Sequence, residues 1–213
     1  MSERENYTTV RKEASDEFEE KRSIFIGHAT HIECEQDALD FIKRKKKEYY
    51  DARHNVYAYV LSGAPVMRYS DDGEPGGTAG MPIIEVMKAR GVTNAAVVVT
   101  RYFGGILLGA GGLLRAYTKS AKDALDAAGI SVVRRWVEAD VPCSYSQMEK
   151  LKAELVGCGA LIGDVEYGAA VTIKILMPEE EAEEIQARIF DVSAGSVKVS
   201  VTGESFRAVP LER

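Results

Sequence analysis

A chain of 213 residues with a net charge of −6 is long enough for one large domain or two small ones, each with its own core. The residues through Ile130 carry −1 and the remainder −5, so neither half has the basic balance of a nucleic-acid-binding domain and any such contact needs a local patch. The polar opening M-S-E-R-E-N-Y excludes a secretory segment at that position, and no apolar run approaches the roughly 18 residues of a membrane span, so no membrane contact and a cytoplasmic location are expected.

Cys34, Cys143 and Cys158 are an odd, widely spaced set, which argues against a disulfide framework and against a structural zinc site. The chain opens with strands expected over Thr8–Lys12 and Ser23–Ala29, the second alternating around Ile24, Ile26 and His28. The acidic run Asp16 to Glu20 between them suits a turn or exposed edge with Phe18 turned inward. Helical spacing then runs from Glu35 to Asp51, with Ala38, Leu39, Phe41, Ile42, Tyr49 and Tyr50 as its apolar face. Lys43, Arg44, Lys45, Lys46 and Lys47 sit in the middle of that helix. Such a run either neutralises phosphates or forms a solvated helix face.

Asn55 to Leu61 is read as a strand with His54 at its start, a position for an acid/base, a phosphate donor or a structural histidine. Next comes a loop from Arg68 to Gly80 with Asp71, Asp72 and Glu74 beside glycines, followed by Gly77 and Thr78. These carboxylates are suited to Mg²⁺ through water, to a peptide or base, or to their own backbone, and they do not match the EF-hand spacing. A helix is expected over Met81–Arg90, with Pro82 in its first turn and Gly91 beyond its end.

The apolar run Ala95 to Val99 predicts a strand buried on both faces. It leads through Arg101, Tyr102 and a loop holding Gly104, Gly105, Gly109, Gly111 and Gly112 into a helix from Leu114 that carries Arg115 and Tyr117 and stops at Gly129. Glycines there either reverse the chain or let an anion approach free N–H groups. The Walker pattern is absent, and Gly109-Ala110-Gly111 is not completed to G-x-G-x-x-G, since Leu114 takes the last place. An ordinary nucleotide-binding fold is not supported.

After Gly129 the periodicity predicts a strand over Val133–Cys143 and a helix opened by a Ser146/Glu149 capping box, with Met148, Leu151, Leu155 and Val156 inward. A hairpin follows around Gly168, with Val165, Tyr167, Val171, Ile173, Ile175 and Met177 sharing one face. Pro178 starts an acidic helix burying Ala182, Ile185, Ile189 and Phe190, and a last strand carries Val197, Val199 and Val201. The order βαββαβ is that of a ferredoxin-like sandwich.

Taken together, the chain resembles the YigZ/IMPACT family in its bacterial two-domain branch. The resemblance rests on Asp51-Ala52-Arg53-His54, on Asp71-Asp72-Gly73-Glu74-Pro75, on Gly77-Thr78-Ala79-Gly80, and on Val99-Thr100-Arg101-Tyr102-Phe103-Gly104-Gly105 through Leu108-Gly109 and Gly111-Gly112-Leu113 to Arg115-Ala116-Tyr117. It implies an α+β protein with two domains. Residues 1–130 would be an IMPACT-type domain similar to domain IV of elongation factor G and to the second domain of a small-subunit ribosomal protein, and residues 131–213 would resemble domain V of elongation factor G. That superfamily also includes small-molecule kinases, whose phosphate-loop signature is not reproduced here. Eukaryotic relatives modulate translation initiation through an additional domain that this chain lacks.

The resemblance makes the loop residues ligand-binding candidates: His54, Asp71, Asp72, Glu74, Gly77, Thr78, Arg101, Tyr102, Gly104, Gly105, Gly109, Gly111, Gly112, Arg115 and Tyr117. Lys43 to Lys47 is the candidate nucleic-acid face, with Tyr102, Phe103 and Tyr117 available to stack on bases. The expectation is a binding protein for RNA, a ribosome or another translation-associated partner, with no cofactor beyond Mg²⁺. The alternative is a small-ligand site, or a hydrolase or transferase, in which His54, Asp71, Asp72, Glu74 and Arg101 share one cleft. A third reading gives these loops a structural role alone.

Overall fold

The computed structural model describes residues 6–62 and 66–210, so the first five polar residues lie outside the described chain. Its contacts divide into two units: the described residues through Val132 together with those from Ala208, and Val133–Arg207. The first unit runs β1 (Tyr7–Val10), β2 (Ala14–Glu20), β3 (Ser23–His31), α1 (Glu35–Glu48), β4 (His54–Leu61), β5 (Val66–Ser70), α2 (Gly80–Ala89), β6 (Ala95–Tyr102) and α3 (Ala110–Ala128). Five of these strands form an antiparallel sheet in the order β2-β3-β6-β4-β5.

β6 lies at the centre and is buried at every position from Ala95 to Arg101. Side chains alternate across a strand, so Ala95, Val97 and Val99 join the core of α2 and α3, including Ile83, Met87, Tyr117 and Leu125. Ala96 and Val98 join Ala38, Phe41 and Ile42 of α1. Helices on both faces explain why the strand reads as an unbroken apolar run. The same alternation carries Thr100 to the α1 face, where its hydroxyl donates to Asn55 Oδ1 at 2.8 Å, and Arg101 to the α3 face.

Several boundaries differ from the sequence expectation. The acidic run does lie at an exposed edge as expected, in strand β2, whose Phe18 turns inward and stacks on Phe25 at 5.3 Å while its carboxylates face solvent. Val66–Ser70 is a strand where the loop was expected to begin at Arg68, because pairing with β4 supplies the partner that its short, largely exposed sequence does not announce. α3 begins at Ala110, which places Gly111 and Gly112 in its first turn. In α1 the buried face is Ala38, Phe41, Ile42 and the stem of Lys45, whereas Leu39 and Tyr50 are exposed and Tyr49 follows the helix.

The second unit contains most of β7 (Ile130–Cys143), then α4 (Tyr145–Gly157), β8 (Leu161–Tyr167), β9 (Val171–Pro178), α5 (Ala182–Val192) and most of β10 (Ser200–Pro210). β9 pairs antiparallel with both β7 and β8, and β10 pairs with β7, which is the ferredoxin-like order. Its core holds Val141, Leu151, Leu155, Ile173, Ile175, Met177, Ile185 and Ile189.

The cap of α4 lies two residues earlier than the expected pair: Ser144 N donates to Gln147 Oε1 at 3.2 Å, so Ser146 and Glu149 fall inside the helix. Val156 and Phe190 are exposed, both lying outside the stripe that faces the sheet. Tyr167 is exposed as well, at the last position of β8, where it stacks on Tyr145 at 6.4 Å. The last strand starts at Ser200 instead of Val197, which is buried ahead of it. All three cysteines are free thiols.

Candidate functional site

Strand register assembles the centre of the site. Arg101 of β6 stands opposite Phe25 of β3 on one side and His54 of β4 on the other, and all three belong to the sheet face covered by α3. The Arg101 guanidinium is 4 % exposed, so it requires a partner. Its Nη1 donates to Glu74 Oε1 at 2.6 Å and its Nη2 lies 3.4 Å from Ser23 Oγ, while its plane sits near the Phe25 and Phe103 rings at 5.4 and 5.5 Å. Tyr117, fully buried on α3, donates its hydroxyl to the same Glu74 oxygen at 2.8 Å. Burial, and then the Glu74 charge, push the Tyr117 phenol well above its ordinary value, so it remains a donor.

His54 completes the group. Its Nε2 lies 3.9 Å from Glu74 Oε1, and its Nδ1 is 2.8 Å from the carbonyl oxygen of Asp72. A carbonyl only accepts, so Nδ1 carries the hydrogen and Nε2 is the nitrogen that faces Glu74. One carboxylate oxygen thus gathers an arginine, a tyrosine and a histidine from three elements.

The two aspartates have other duties. Asp71 Oδ1 accepts from the N–H groups of Ala79 and Gly80 at 3.1 and 2.8 Å, and Oδ2 accepts from Gly77 N at 2.9 Å. It therefore caps α2 from nine residues upstream, where the residue before the helix, Ala79, has no side-chain acceptor. Thr78 closes the same turn by donating its hydroxyl to Pro75 O at 2.6 Å. Asp72 has φ +44°, a conformation that Asp tolerates, and is followed by Gly73 at +85°. Its Oδ2 accepts from Asn55 N at 2.7 Å and its Oδ1 from Lys46 Nζ at 2.6 Å. Among the described residues no group of three or more His, Cys, Asp or Glu side chains is arranged to hold a metal ion.

The glycine stretch divides by role. A Cβ on Gly104 would lie 2.0 Å from the Arg22 carbonyl group, and Gly104 N donates to Ser23 Oγ at 3.2 Å, so this residue lets two backbones touch. Gly105 and Gly109 adopt positive φ of 82° and 72°. Gly111 and Gly112 lie in the first turn of α3, which has no side-chain cap, and Arg115 is exposed one turn later. Tyr102 points away from the Glu74 group and donates to Asp51 Oδ1 at 2.8 Å, with burial and that bond holding its phenol up at about 12.

The basic run is largely neutralised by its neighbours. Arg44 forms a double hydrogen bond with Glu13 at 2.7 and 2.5 Å, Lys45 is 7 % exposed between Glu13 and Glu48, and Lys46 holds Asp72. The Arg44 guanidinium, ahead of other causes, keeps the Glu13 carboxyl below its ordinary range. Only Lys43 and Lys47 of the five are exposed without a partner among the described residues. A five-residue phosphate face is not what the helix presents, because a run of five wraps more than one turn and part of it must face the sheet.

Ser23, Phe25 and Asn55 also belong to the site and were not among the sequence candidates, whereas Phe103, expected as a stacking ring, lies over the Arg101 guanidinium. Strand alternation could have aligned Phe25 and His54 with Arg101, but only with the register known. Arg53, exposed one residue before β4, lies over the Phe103 ring at 5.9 Å.

Residues 21–125 match the family described as the Impact N-terminal domain, and residues 141–196 match a domain of unknown function, DUF1949. The chain is 35% identical to the IMPACT family member YvyE of Bacillus subtilis, over 89% of this chain and 88% of that protein. It is 36% identical to the IMPACT family member YigZ of Escherichia coli, over 84% and 89% respectively. The mouse protein IMPACT shares 36% identity over 42% of this chain and 30% of its own length. A solved structure described as a crystal structure of an hypothetical protein aligns with a TM-score of 0.58 and 33% identity, covering 94% of this chain and 98% of that one.

Proposed function

The chain belongs to the IMPACT family, and from that premise we propose that it is a non-enzymatic binding protein whose N-terminal domain engages RNA or a ribosome-associated partner. The observation that carries this reading is Phe103, 38 % exposed, with the guanidinium of Arg53 at 5.9 Å and that of Arg101 at 5.5 Å from its ring. An accessible aromatic ring beside an exposed arginine suits an unstacked base and its phosphate.

Two further features favour the same face. The first turn of α3 leaves its N–H groups without a side-chain cap, with Arg115 exposed on the following turn. The titratable groups of the loops are engaged within the fold: Glu74 with Arg101, Tyr117 and, at 3.9 Å, His54, Asp72 with Lys46 and the backbone of β4, and Asp71 with backbone amides at the start of α2. They support the loop rather than opening onto a substrate, which argues against the acid/base reading. A role in translation rests on the family resemblance.

The test is binding of the full chain to ribosomes and to short structured RNA across a salt titration. Arg53→Ala, Phe103→Ala and Arg115→Ala are expected to weaken binding several-fold, the two arginine changes also lowering the salt dependence by about one phosphate contact each. Lys43→Ala with Lys47→Ala reports on α1 separately, without breaking the Lys45 and Lys46 pairs. No binding at low salt, or binding unchanged in the Arg53, Phe103 and Arg115 variants, overturns the reading.

A further inference from the structure

Helices α2 and α3 run parallel, since Arg90 at the end of α2 pairs with Asp126 near the end of α3 at 2.6 Å. Between them lies a groove of about 360 Å³, within the size range of small-molecule sites. Its floor is apolar: Pro82 and Val86 are buried, and Met81 and Leu114 flank it while still 38 % and 48 % exposed. Beyond the Glu74 cluster and the glycine loop, this is a separate feature of the domain.

The charges along the groove are unequal. Glu85 is matched by Lys88 at 3.0 Å, and Arg90 is matched by Asp126. Lys122, which lines the same groove beside Thr118, has no charged or hydrogen-bonding partner among the described residues. An apolar trough with one ammonium uncompensated among the described residues and a threonine hydroxyl beside it is complementary to a short hydrocarbon or aromatic body that ends in an anionic group. We propose that the α2–α3 groove is a binding site for a small amphiphilic carboxylate, with its apolar body against Met81, Val86, Ala89 and Leu114 and its carboxylate on Lys122.

The test uses decanoate, with decanol as the uncharged comparator, titrated into the full chain while amide chemical shifts are followed. Decanoate is expected to give a saturable response centred on Val86, Ala89, Leu114 and Thr118. Lys122→Gln is expected to weaken decanoate by about two- to fivefold, the worth of one exposed ion pair, and to leave decanol unchanged. Ala89→Trp, at an exposed position of α2, is expected to fill the trough and abolish binding of both, with an unchanged melting temperature showing that the fold is intact. A response scattered over the surface, equal decanoate affinity in Lys122→Gln, or undiminished binding in Ala89→Trp overturns the proposal. A response of the same residues to protein concentration alone would give the groove to a second copy of the chain and likewise overturn it.

Discussion

Glu74 Oε1 receives both the Arg101 guanidinium, at 2.6 Å, and the Tyr117 hydroxyl, at 2.8 Å, in surroundings where each of the three side chains is at most a tenth exposed. Removing one partner of a buried ion pair strands the other charge, so Arg101→Ala is expected to cost about 3–5 kcal/mol and Tyr117→Phe only about 1–2 kcal/mol. Adding Glu74→Ala to Arg101→Ala relieves the stranded carboxylate, so the double variant is expected to lose less than the sum of the singles. Equilibrium unfolding in urea measures the parent and the four variants, Glu74→Ala alone included. Strict additivity would show that the pair is not coupled in solution.

Asp71 stands in for the missing local cap of α2. Asp71→Ala frees three N–H groups at once, and the expected loss is about 2 kcal/mol, the upper end of a single cap. Hydrogen exchange locates the effect: the amides of Gly77, Ala79 and Gly80 are expected to exchange faster, while those of β6 follow only the global change. Unchanged protection at Gly80 would remove the capping role.

His28 gives stability a pH dependence. On the α1 face of β3 it is 1 % exposed against the Tyr49 ring, with neither ring nitrogen hydrogen-bonded among the described residues. Burial first, and the Lys45 ammonium second, push it down to about 4 from 6.5, against the opposing pull of Glu48 and Glu13. The unfolded chain then takes up a proton below 6.5 that the folded chain refuses until about 4, so stability is full above that window and falls as the pH drops through it. The loss approaches about 3 kcal/mol when complete. His28→Phe keeps the aromatic contact and removes the proton, so its stability is expected to change less between about pH 7 and about pH 4.5 than that of the parent. Parallel curves for the two proteins would refute the assignment.

Two glycines separate conformation from contact. Gly104→Ala places a methyl group onto the backbone of Arg22 and Ser23, where main-chain atoms rather than a flexible side chain must shift, so a loss of about 2–4 kcal/mol is expected. At Gly76 an added Cβ meets nothing within 4 Å and φ is not positive, so Gly76→Ala is expected to be neutral or to gain up to about 1 kcal/mol. Thermal melts of the two variants decide this, and equal losses would contradict the packing described for Gly104.

Much of this protein is determined locally and is legible along the chain. The β-branched run of β6, the stripe Tyr117, Ala121, Ala124 and Ala128 of α3, and the alternation of β9 are periodic signals that depend only on which face is buried, although Leu114, expected to begin that stripe, is exposed and Leu113 is buried in its place. The separated motifs around His54, Asp71 and Arg101 were likewise visible as unusual residue types among glycines. Their use was not. That Asp71 caps a helix nine residues on, that Lys46 belongs to Asp72 and Arg44 to Glu13, and that Arg101 shares one oxygen with Tyr117 are relations between elements far apart in sequence. They depend on strand register, where a shift of one residue would turn Arg101 to the opposite face of the sheet. Tertiary structure decided which charges were engaged inside the fold, leaving Arg53, Arg115 and Lys122 exposed outside it, with the Phe103 ring beside Arg53.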